Sequence, residues 1–403
     1  MVFPPPPFRY PGFRSQFAAD LMTSCAFEME TLILGWFILV QTGSVLLLAV
    51  FGALQSLGTL CSPFFGLGAE RVGTRNLLAA MRAAYAIFAT LLMGLALTGY
   101  LTAPAVFVIG TAIGLVRSSD IAMRNLLVGD LMVPEHLMTA LSISRMASDL
   151  ARTAGALTGA GLFAALGIGP AYIAVTAFYA AGLVFTLRIA RPAPRSRASI
   201  LASPFADLRD GFAHARATPL LLAALLLAFL VNFTAYPLSG GLLAYIARDV
   251  YHLDQNGLGT LSATFALGGL AGSFALSLAG GGRRPAIIMI GASVAWHILL
   301  IGFVHAQSLA AGIAALALAG FVQNFCMIPM SLVILRTATD RFRGRVMGLR
   351  MLAIYGLPLG LTLAGWLTEQ IGLPATGTLY CLAGVAATLA IAIRWRGAFG
   401  GKG

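Results

Sequence analysis

The chain has 403 residues, of which 59% are hydrophobic and only 10% are charged. An ordinary soluble domain has about 25% charged residues, so this composition excludes that class of protein. The formal net charge of +12 would suggest a nucleic-acid partner in a soluble protein. In so apolar a chain we attribute it to membrane topology instead, because basic residues gather on the cytoplasmic side of membrane proteins.

The apolar segments predict membrane-spanning helices, since about 20 apolar residues cross a bilayer as a helix. The first six lie near residues 17–41, 45–65, 76–99, 104–127, 139–166 and 170–190. Six more lie near residues 219–246, 257–279, 285–305, 309–335, 346–370 and 375–394. The predicted fold class is therefore an all-α polytopic membrane protein with 12 transmembrane helices in two pseudo-symmetric six-helix bundles. The proline-rich start lacks the short apolar core of a cleavable signal peptide, so none is expected.

The spans divide the chain into five predicted segments. These are a cytoplasmic N-terminal tail (1–16), an N-terminal six-helix bundle (17–190), a basic cytoplasmic linker (191–218), a C-terminal six-helix bundle (219–394) and a second cytoplasmic tail (395–403). The tails, the linker and the loops on their side carry nearly all the loop arginines, and Arg248 is the one basic residue assigned to the opposite loops. This asymmetry predicts that both termini are cytoplasmic, in a bacterial inner membrane.

The two halves of the chain also resemble each other. Glu135 matches Asp340, Arg145 matches Arg350, Gly155 matches Gly360 and Gly167 matches Gly372, and each pair is separated by 205 positions. A constant register across a loop and the following helix indicates a duplication. Two parallel six-helix halves with a binding site between them are one of the arrangements that duplicated membrane proteins adopt.

The loop "GLGAERVGTRNLL" at residues 66–78 resembles the loop signature of the major facilitator superfamily, with Glu70 in place of the usual aspartate. Four further stretches are similar to the exporter branch that includes the enterobactin exporter and related drug-efflux proteins. They are "WFILVQTGS" (36–44), "GDLMVPEHLMTALSIS" (129–144), "ARTAGALTGAG" (151–161) and "DRFRGRVMGLRMLAIYGLPLGLTLAGWL" (340–367). The resemblance implies alternating access, in which the two halves rock about a central cavity.

The resemblance also implies a cytoplasmic gate, in which residues at the inner ends of the spans form ion pairs within and between the halves. The residues assigned to this gate are Gly66, Glu70, Arg71, Gly73, Arg75, Arg124, Asp130, Glu135, Arg145, Asp340, Arg341 and Arg345. Single exposed ion pairs contribute little stability. A network that joins two halves can still shift an equilibrium between two conformations.

Two consecutive predicted spans carry charges at helical spacing. The first has Arg117, Asp120 and Arg124 at i, i+3 and i+7, and the second has Arg145, Asp149 and Arg152 at i, i+4 and i+7. Because each set shares one helix face, we expect a ladder of ion pairs between these spans, hidden from lipid. A structural ion network is the simpler interpretation. The alternative assigns solute binding to Arg117 and Arg152 and proton coupling to Asp120 and Asp149.

The first span adds three carboxylates, Asp20, Glu28 and Glu30, as further proton-coupling candidates. At about 100° per residue, Glu28 and Glu30 point in different directions, so both cannot face one cavity. Glu28 or Glu30 is preferred, since Asp20 is nearer the cytoplasmic end. The alternative is that one of them pairs with an arginine of the ladder.

In the second half the solute-cavity candidates are uncharged. By family analogy, the first, fourth, seventh and tenth spans line the cavity, which selects Asn232, Tyr236, Gln323 and Asn324. Each of them could equally form a satisfied hydrogen bond between helices. His297 is interpreted as a packed core histidine.

The resemblance to the exporter branch, together with these features, implies secondary active transport, with proton-coupled efflux of a siderophore-like or drug-like compound. The excess of arginine favours an anionic solute. Alternatives are an uptake permease or a lipid flippase of the same fold and, in a different class, a non-transporting membrane receptor or scaffold. No enzyme motif, cofactor site or metal-ligand spacing is recognised. The expected partners are the lipid bilayer, a small-molecule substrate and protons, with no nucleic acid and a monomeric chain.

Overall fold

The computed structural model describes residues 6–56, 58, 65, 68–69, 72–190, 204–278, 284–337 and 343–399. Its helices of ten residues or more are numbered here in chain order. In the first half they are α1 (Pro11–Thr42), α2 (Val45–Leu54), α3 (Thr74–Leu97), α4 (Ala103–Arg117), α5 (Asp120–Leu131), α6 (Pro134–Leu166) and α7 (Ile168–Leu187). Then follow α8 (Pro204–Ala217), α9 (Pro219–Thr234), α10 (Gln255–Leu278), α11 (Pro285–His305), α12 (Leu309–Thr337), α13 (Arg343–Ala353), α14 (Gly356–Ile371) and α15 (Leu373–Arg394).

The helices confirm the all-α polytopic class. Within the described ranges, ten helical segments are long and apolar enough to cross a membrane. The predicted fifth span is helical as α6, but it is not one of the ten. Its charged residues lower its hydropathy, which is the expected effect of Glu135, Arg145 and Arg152 in one helix. The predicted second span is described as a helix only over α2.

Two predicted spans are interrupted. The predicted span 104–127 is divided at Ser118 and Ser119 into α4 and α5, and the predicted span 346–370 is divided at Ile354 and Tyr355 into α13 and α14. The seventh span continues past α9 through two π-helical turns, Pro237–Gly241 and Ile246–Val250. Pro237 has no backbone N–H to donate to the preceding turn, which is a common cause of such irregular helix geometry.

The chain divides into two compact units, and their composition departs from a simple cut at the linker. The first contains Met1–Gly43, Leu54–Ser199 and Leu253–Ala263, and the second contains Ser44–Ala53, Ile200–His252 and Thr264–Gly403. Part of the predicted linker, residues 191–203, lies outside the described residues, and residues 204–217 form α8. The domain limits derived from the sequence therefore stay a prediction.

In the first unit, α1 is the central helix and packs against α6 and α7. Gly155 and Gly159 of α6 lie against the backbone of α1 at Cys25 and Met29, where a Cβ atom would be too close. Small residues let helix backbones approach in this way. Because α1 is surrounded by protein, its polar residues meet partners from several helices.

In the second unit, α11 is the central helix and packs against α12 and α15. His297 of α11 is fully buried, its Nε2 2.7 Å from Thr234 Oγ1 and its Nδ1 2.7 Å from the Ser293 carbonyl oxygen. This geometry agrees with the interpretation of His297 as a core residue. Helix α2 also belongs largely to this unit, and Glu369 of α14 accepts hydrogen bonds from the Ser44 hydroxyl at 2.5 Å and the Leu46 backbone N–H at 3.0 Å.

Candidate functional site

A buried ion cluster lies at the centre of the first unit. Asp20 of α1 lies 2.5 Å from Arg82 of α3 and 3.4 Å from Arg124 of α5. Arg124 also pairs with Asp120, four residues before it on α5. The side chains of these four residues are at most 8% exposed. Two carboxylates and two guanidinium groups balance in charge, which is the condition under which ions are retained in an apolar interior.

Arg82 is the member of this cluster that the sequence analysis did not select. It is fully buried, and it also donates to the Thr186 hydroxyl of α7. The signal was present in the sequence, because Arg82 is a charged residue in the middle of the apolar segment 76–99. An ionisable residue inside a span is a candidate functional residue by default.

Three arginines of the predicted charge ladder, Arg117, Arg124 and Arg152, contact residues of α1. Arg124 contacts Asp20, the Asp20 carbonyl oxygen and the Ser24 hydroxyl, the last at 2.7 Å. Arg124, which the sequence analysis assigned to the cytoplasmic gate, is therefore a buried member of this cluster, and its role in the gate stays a prediction. The ladder assumed one continuous helix through the Ser118–Ser119 interruption. The side chain of Asp149 is outside the described set, so its predicted position is not tested.

Glu30 of α1 occupies a second buried polar position. It is 2% exposed, and it accepts hydrogen bonds from the hydroxyl groups of Tyr179 at 2.7 Å and Tyr172 at 3.5 Å. Both tyrosines are on α7 at i and i+7, and both are fully buried. The sequence analysis named Glu30 but missed these partners, although their spacing places them on one helix face.

Glu28, two residues before Glu30, has a different environment. Its carboxylate lies 3.4 Å from Arg152 of α6, and these side chains are 28% and 53% exposed. The structure therefore separates Glu28 from Glu30, as the helical geometry predicted, and brings one of the predicted ladder arginines to α1.

Arg117, the last residue of α4, is partly exposed and contacts neutral groups of the first unit. Its Nη1 donates to the Thr31 hydroxyl at 2.7 Å and to Gln55 Oε1 at 3.4 Å. Its guanidinium carbon lies 4.5 Å from the centre of the Phe27 ring, a cation–π distance. Thr31 directly follows Glu30 on α1, so the positive charge of Arg117 lies near the carboxyl group of Glu30.

The four candidates of the second half divide into two kinds. Tyr236 accepts a hydrogen bond from Gln323 of α12 at 2.5 Å and packs edge-on against Trp296. Asn324 donates to the Gly269 carbonyl oxygen of α10. Asn232 donates to the Ala228 carbonyl oxygen of its own helix at 2.8 Å. Tyr236, Gln323 and Asn324 thus have the hydrogen bonds between helices that were weighed against a cavity role, whereas the bond of Asn232 stays within its own helix.

The predicted cytoplasmic gate is described only in part. Gly66, Glu70, Arg71, Asp340 and Arg341 are outside the described residues, as is the side chain of Arg345. Gly73 has φ of 87°, a conformation that favours glycine, and it precedes α3. Arg75 donates to the carbonyl oxygens of Leu187 and Ile189, and Asp130 accepts from the Thr74 hydroxyl at 2.9 Å. Glu135 and Arg145 are exposed.

Comparison with known families identifies this architecture. The model of the Major Facilitator Superfamily matches residues 17–357. The chain belongs to the Major Facilitator Superfamily. Membership of this superfamily places the chain in the general class of secondary transporters and supports a multi-pass membrane location. No curated protein sequence matches the chain.

Solved structures of superfamily transporters have the same fold as this superfamily member. The human organic anion transporter MFSD10 (TETRAN) is 18% identical with a TM-score of 0.65, and the match covers 96% of this chain and 100% of that one. A bacterial homologue of the human lysosomal transporter Spinster is 14% identical with a TM-score of 0.69, covering 98% and 97%. The POT family transporter PepTSo is 13% identical with a TM-score of 0.75, covering 98% and 99%. At these identities the likeness concerns the fold alone.

Proposed function

We propose that this superfamily member is a proton-coupled secondary transporter that exports a small siderophore-like or drug-like organic compound by alternating access. The observation that carries the proposal is the buried carboxyl group of Glu30 on the central helix α1. The transporter works as a monomer in a bacterial inner membrane, with both termini cytoplasmic.

Glu30 suits a proton carrier because its surroundings accommodate both of its charge states. When it is ionised, the two tyrosine hydroxyls donate to it and Arg117 supplies nearby positive charge. When it is protonated, it is a neutral group that a buried position tolerates at lower cost. A carboxyl group that can exist in either form at one position can take up a proton and release it.

The other carboxylates fit this role less well. Loss of charge at Asp20 would leave Arg82 without its counter-ion at 2.5 Å, in the fully buried ion cluster. Glu28 is partly exposed and paired with Arg152. We therefore assign coupling to Glu30, and assign Asp20, Asp120, Arg82 and Arg124 to the cluster that joins α1, α3 and α5.

Uptake is a second candidate, and the position of Arg117 beside Thr31 favours it. An anionic solute near Arg117 would oppose the negative charge of Glu30 and so favour its protonated form. Anion and proton would then bind together, which is the behaviour of co-transport. A cationic solute would compete with the proton, which is the behaviour of exchange and suits efflux. A non-transporting scaffold would show no such linkage.

Proteoliposomes that contain a pH-sensitive dye test the coupling. We expect enterobactin, ethidium or fluorescein, as siderophore, cationic and anionic probes, to cause proton movement with the wild-type protein. Glu30→Gln should reduce this movement to the rate of protein-free liposomes, because glutamine cannot release a proton. The matched variant Glu28→Gln, two residues away on the same helix, should retain it.

The direction of proton flow relative to the solute distinguishes efflux by exchange from co-transport. Proton movement in Glu30→Gln at the wild-type rate would refute the assignment of coupling to Glu30. Absence of solute-driven proton movement in wild-type proteoliposomes, for every probe, would refute the proposed function.

A further inference from the structure

The guanidinium group of Arg117 is held in a fixed orientation by neutral side chains. Two hydrogen bonds, to Thr31 and Gln55, both start from Nη1. The Phe27 ring covers one face of the group at 4.5 Å. Three contacts to a planar group set the direction in which its remaining N–H bonds point.

Several other charges of the first unit have opposite charges close by. Asp20 and Asp120 contact Arg82 and Arg124, and Glu28 contacts Arg152. Among the described residues, no carboxylate lies within 4.0 Å of Arg117. Arg117 is thus a cation whose nearest contacts in this part of the chain are neutral.

One edge of this guanidinium remains available. Nε and Nη2 donate no hydrogen bond to a described residue, and the side chain is partly exposed. The Nε–Nη2 edge presents two parallel N–H bonds, the arrangement that binds both oxygens of a carboxylate. We propose that Arg117 binds the carboxylate group of an organic-acid solute through this edge.

An organic carboxylate fits the position better than an inorganic anion. Phe27, which covers one face of the guanidinium, is 7% exposed, and this remaining apolar surface can contact the carbon skeleton next to a carboxylate. Phe27 itself packs edge-on against Tyr85 and Tyr179, so its ring is held in place. Inorganic phosphate has no apolar part to use this surface. The inference rests on the proposed transport function, since it names the class of solute, and by the linkage described above an anionic solute favours the co-transport alternative.

Thermal unfolding of the purified full-length protein in detergent tests the assignment. The probes are acetate, benzoate and salicylate, each compared with its neutral amide, together with inorganic phosphate. We expect at least one carboxylate to raise the melting temperature of the wild type while its amide does not. The concentration for half the shift should rise at least about tenfold in Arg117→Gln, because a hydrogen bond to a charged group contributes about 1.5–3 kcal/mol.

A matched control is available at Arg188, an exposed arginine 5.5 Å from the Phe185 ring. Arg188→Gln removes the same charge from a similar aromatic contact and should bind the carboxylate as the wild type does. Arg117→Lys keeps the charge but loses the two parallel N–H donors. Its affinity for the carboxylate should therefore fall between those of the wild type and Arg117→Gln.

Three outcomes would overturn the inference: no carboxylate stabilises the wild type, phosphate stabilises it as well as any carboxylate, or Arg117→Gln binds as tightly as the wild type. Its failure is distinguishable from failure of the proposed function. Solute-driven proton movement that does not depend on Arg117 leaves the transporter proposal intact. Carboxylate binding at Arg117 without any proton movement in liposomes leaves the binding site intact.

Discussion

Replacing Arg82 with alanine is expected to destabilise the first unit by about 3–5 kcal/mol, the range found when one partner of a buried ion pair is removed. Arg82 is fully buried and lies 2.5 Å from Asp20, so the variant leaves an ionised carboxylate with one counter-ion fewer in an apolar interior. It also removes the donor to Thr186 of α7. Thermal unfolding in detergent micelles, monitored by intrinsic fluorescence, measures the loss.

Two further variants show whether the charge is the cause. Arg14→Ala, at an exposed position near the start of α1, should change stability by less than about 0.5 kcal/mol. The double variant Asp20→Asn with Arg82→Gln should be more stable than Arg82→Ala, because both members of the pair are then neutral. If Arg82→Ala unfolds at the same temperature as Arg14→Ala, the ion cluster is not a source of stability.

Replacing Gly320 with valine is expected to destabilise the second unit by about 3 kcal/mol, at the upper end of the usual cost of overpacking. Gly320 of α12 faces the Phe265 carbonyl oxygen of α10, while Gly268 and Gly272 of α10 face the carbonyl oxygens of Ala317 and Phe321. A Cβ atom at any of these positions would overlap backbone atoms that no rotamer change can move. The two helices would have to separate.

Gly302→Val is the matched control, because Gly302 lies within α11 with open space around the position of a Cβ atom. Its stability should stay within about 0.5 kcal/mol of the wild type. Thermal unfolding in the same detergent compares the two variants directly. Equal melting temperatures for Gly320→Val and Gly302→Val would show that α10 and α12 are not closely packed.

Much of the fold follows from local patterns in the sequence. The apolar segments determine where the helices lie, and the charged residues inside them indicate which helices contribute polar groups. Glu30 could be named from the sequence because a carboxylate in an apolar segment is unusual. The predicted opposition of Glu28 and Glu30 depends only on the rotation per residue, and the structure agrees with it.

The partners of these residues could not be derived in the same way. The sequence analysis joined Arg117, Asp120 and Arg124 to the next span, because consecutive helices are often neighbours. In the structure α1 packs against α4, α5, α6 and α7, and Asp20 of α1 pairs with Arg82 of α3 and Arg124 of α5, which are 62 and 104 positions away. Such pairing depends on how the helices pack in three dimensions, and the residue pattern along one helix does not predict it.

The interruption at Ser118 and Ser119 has a mechanical consequence. It separates Arg117, the last residue of α4, from Asp120, the first residue of α5. The turn is closed by hydrogen bonds of 3.3 and 3.4 Å from these two serine N–H groups, which are slightly longer than the usual range. A bend at these two serines would change the angle between α4 and α5, while the hydrogen bonds within each helix would stay intact. Because Arg117 is attached to α1 through Thr31 and Arg124 is attached to α1 through Asp20, such a bend would have to break one of these two attachments.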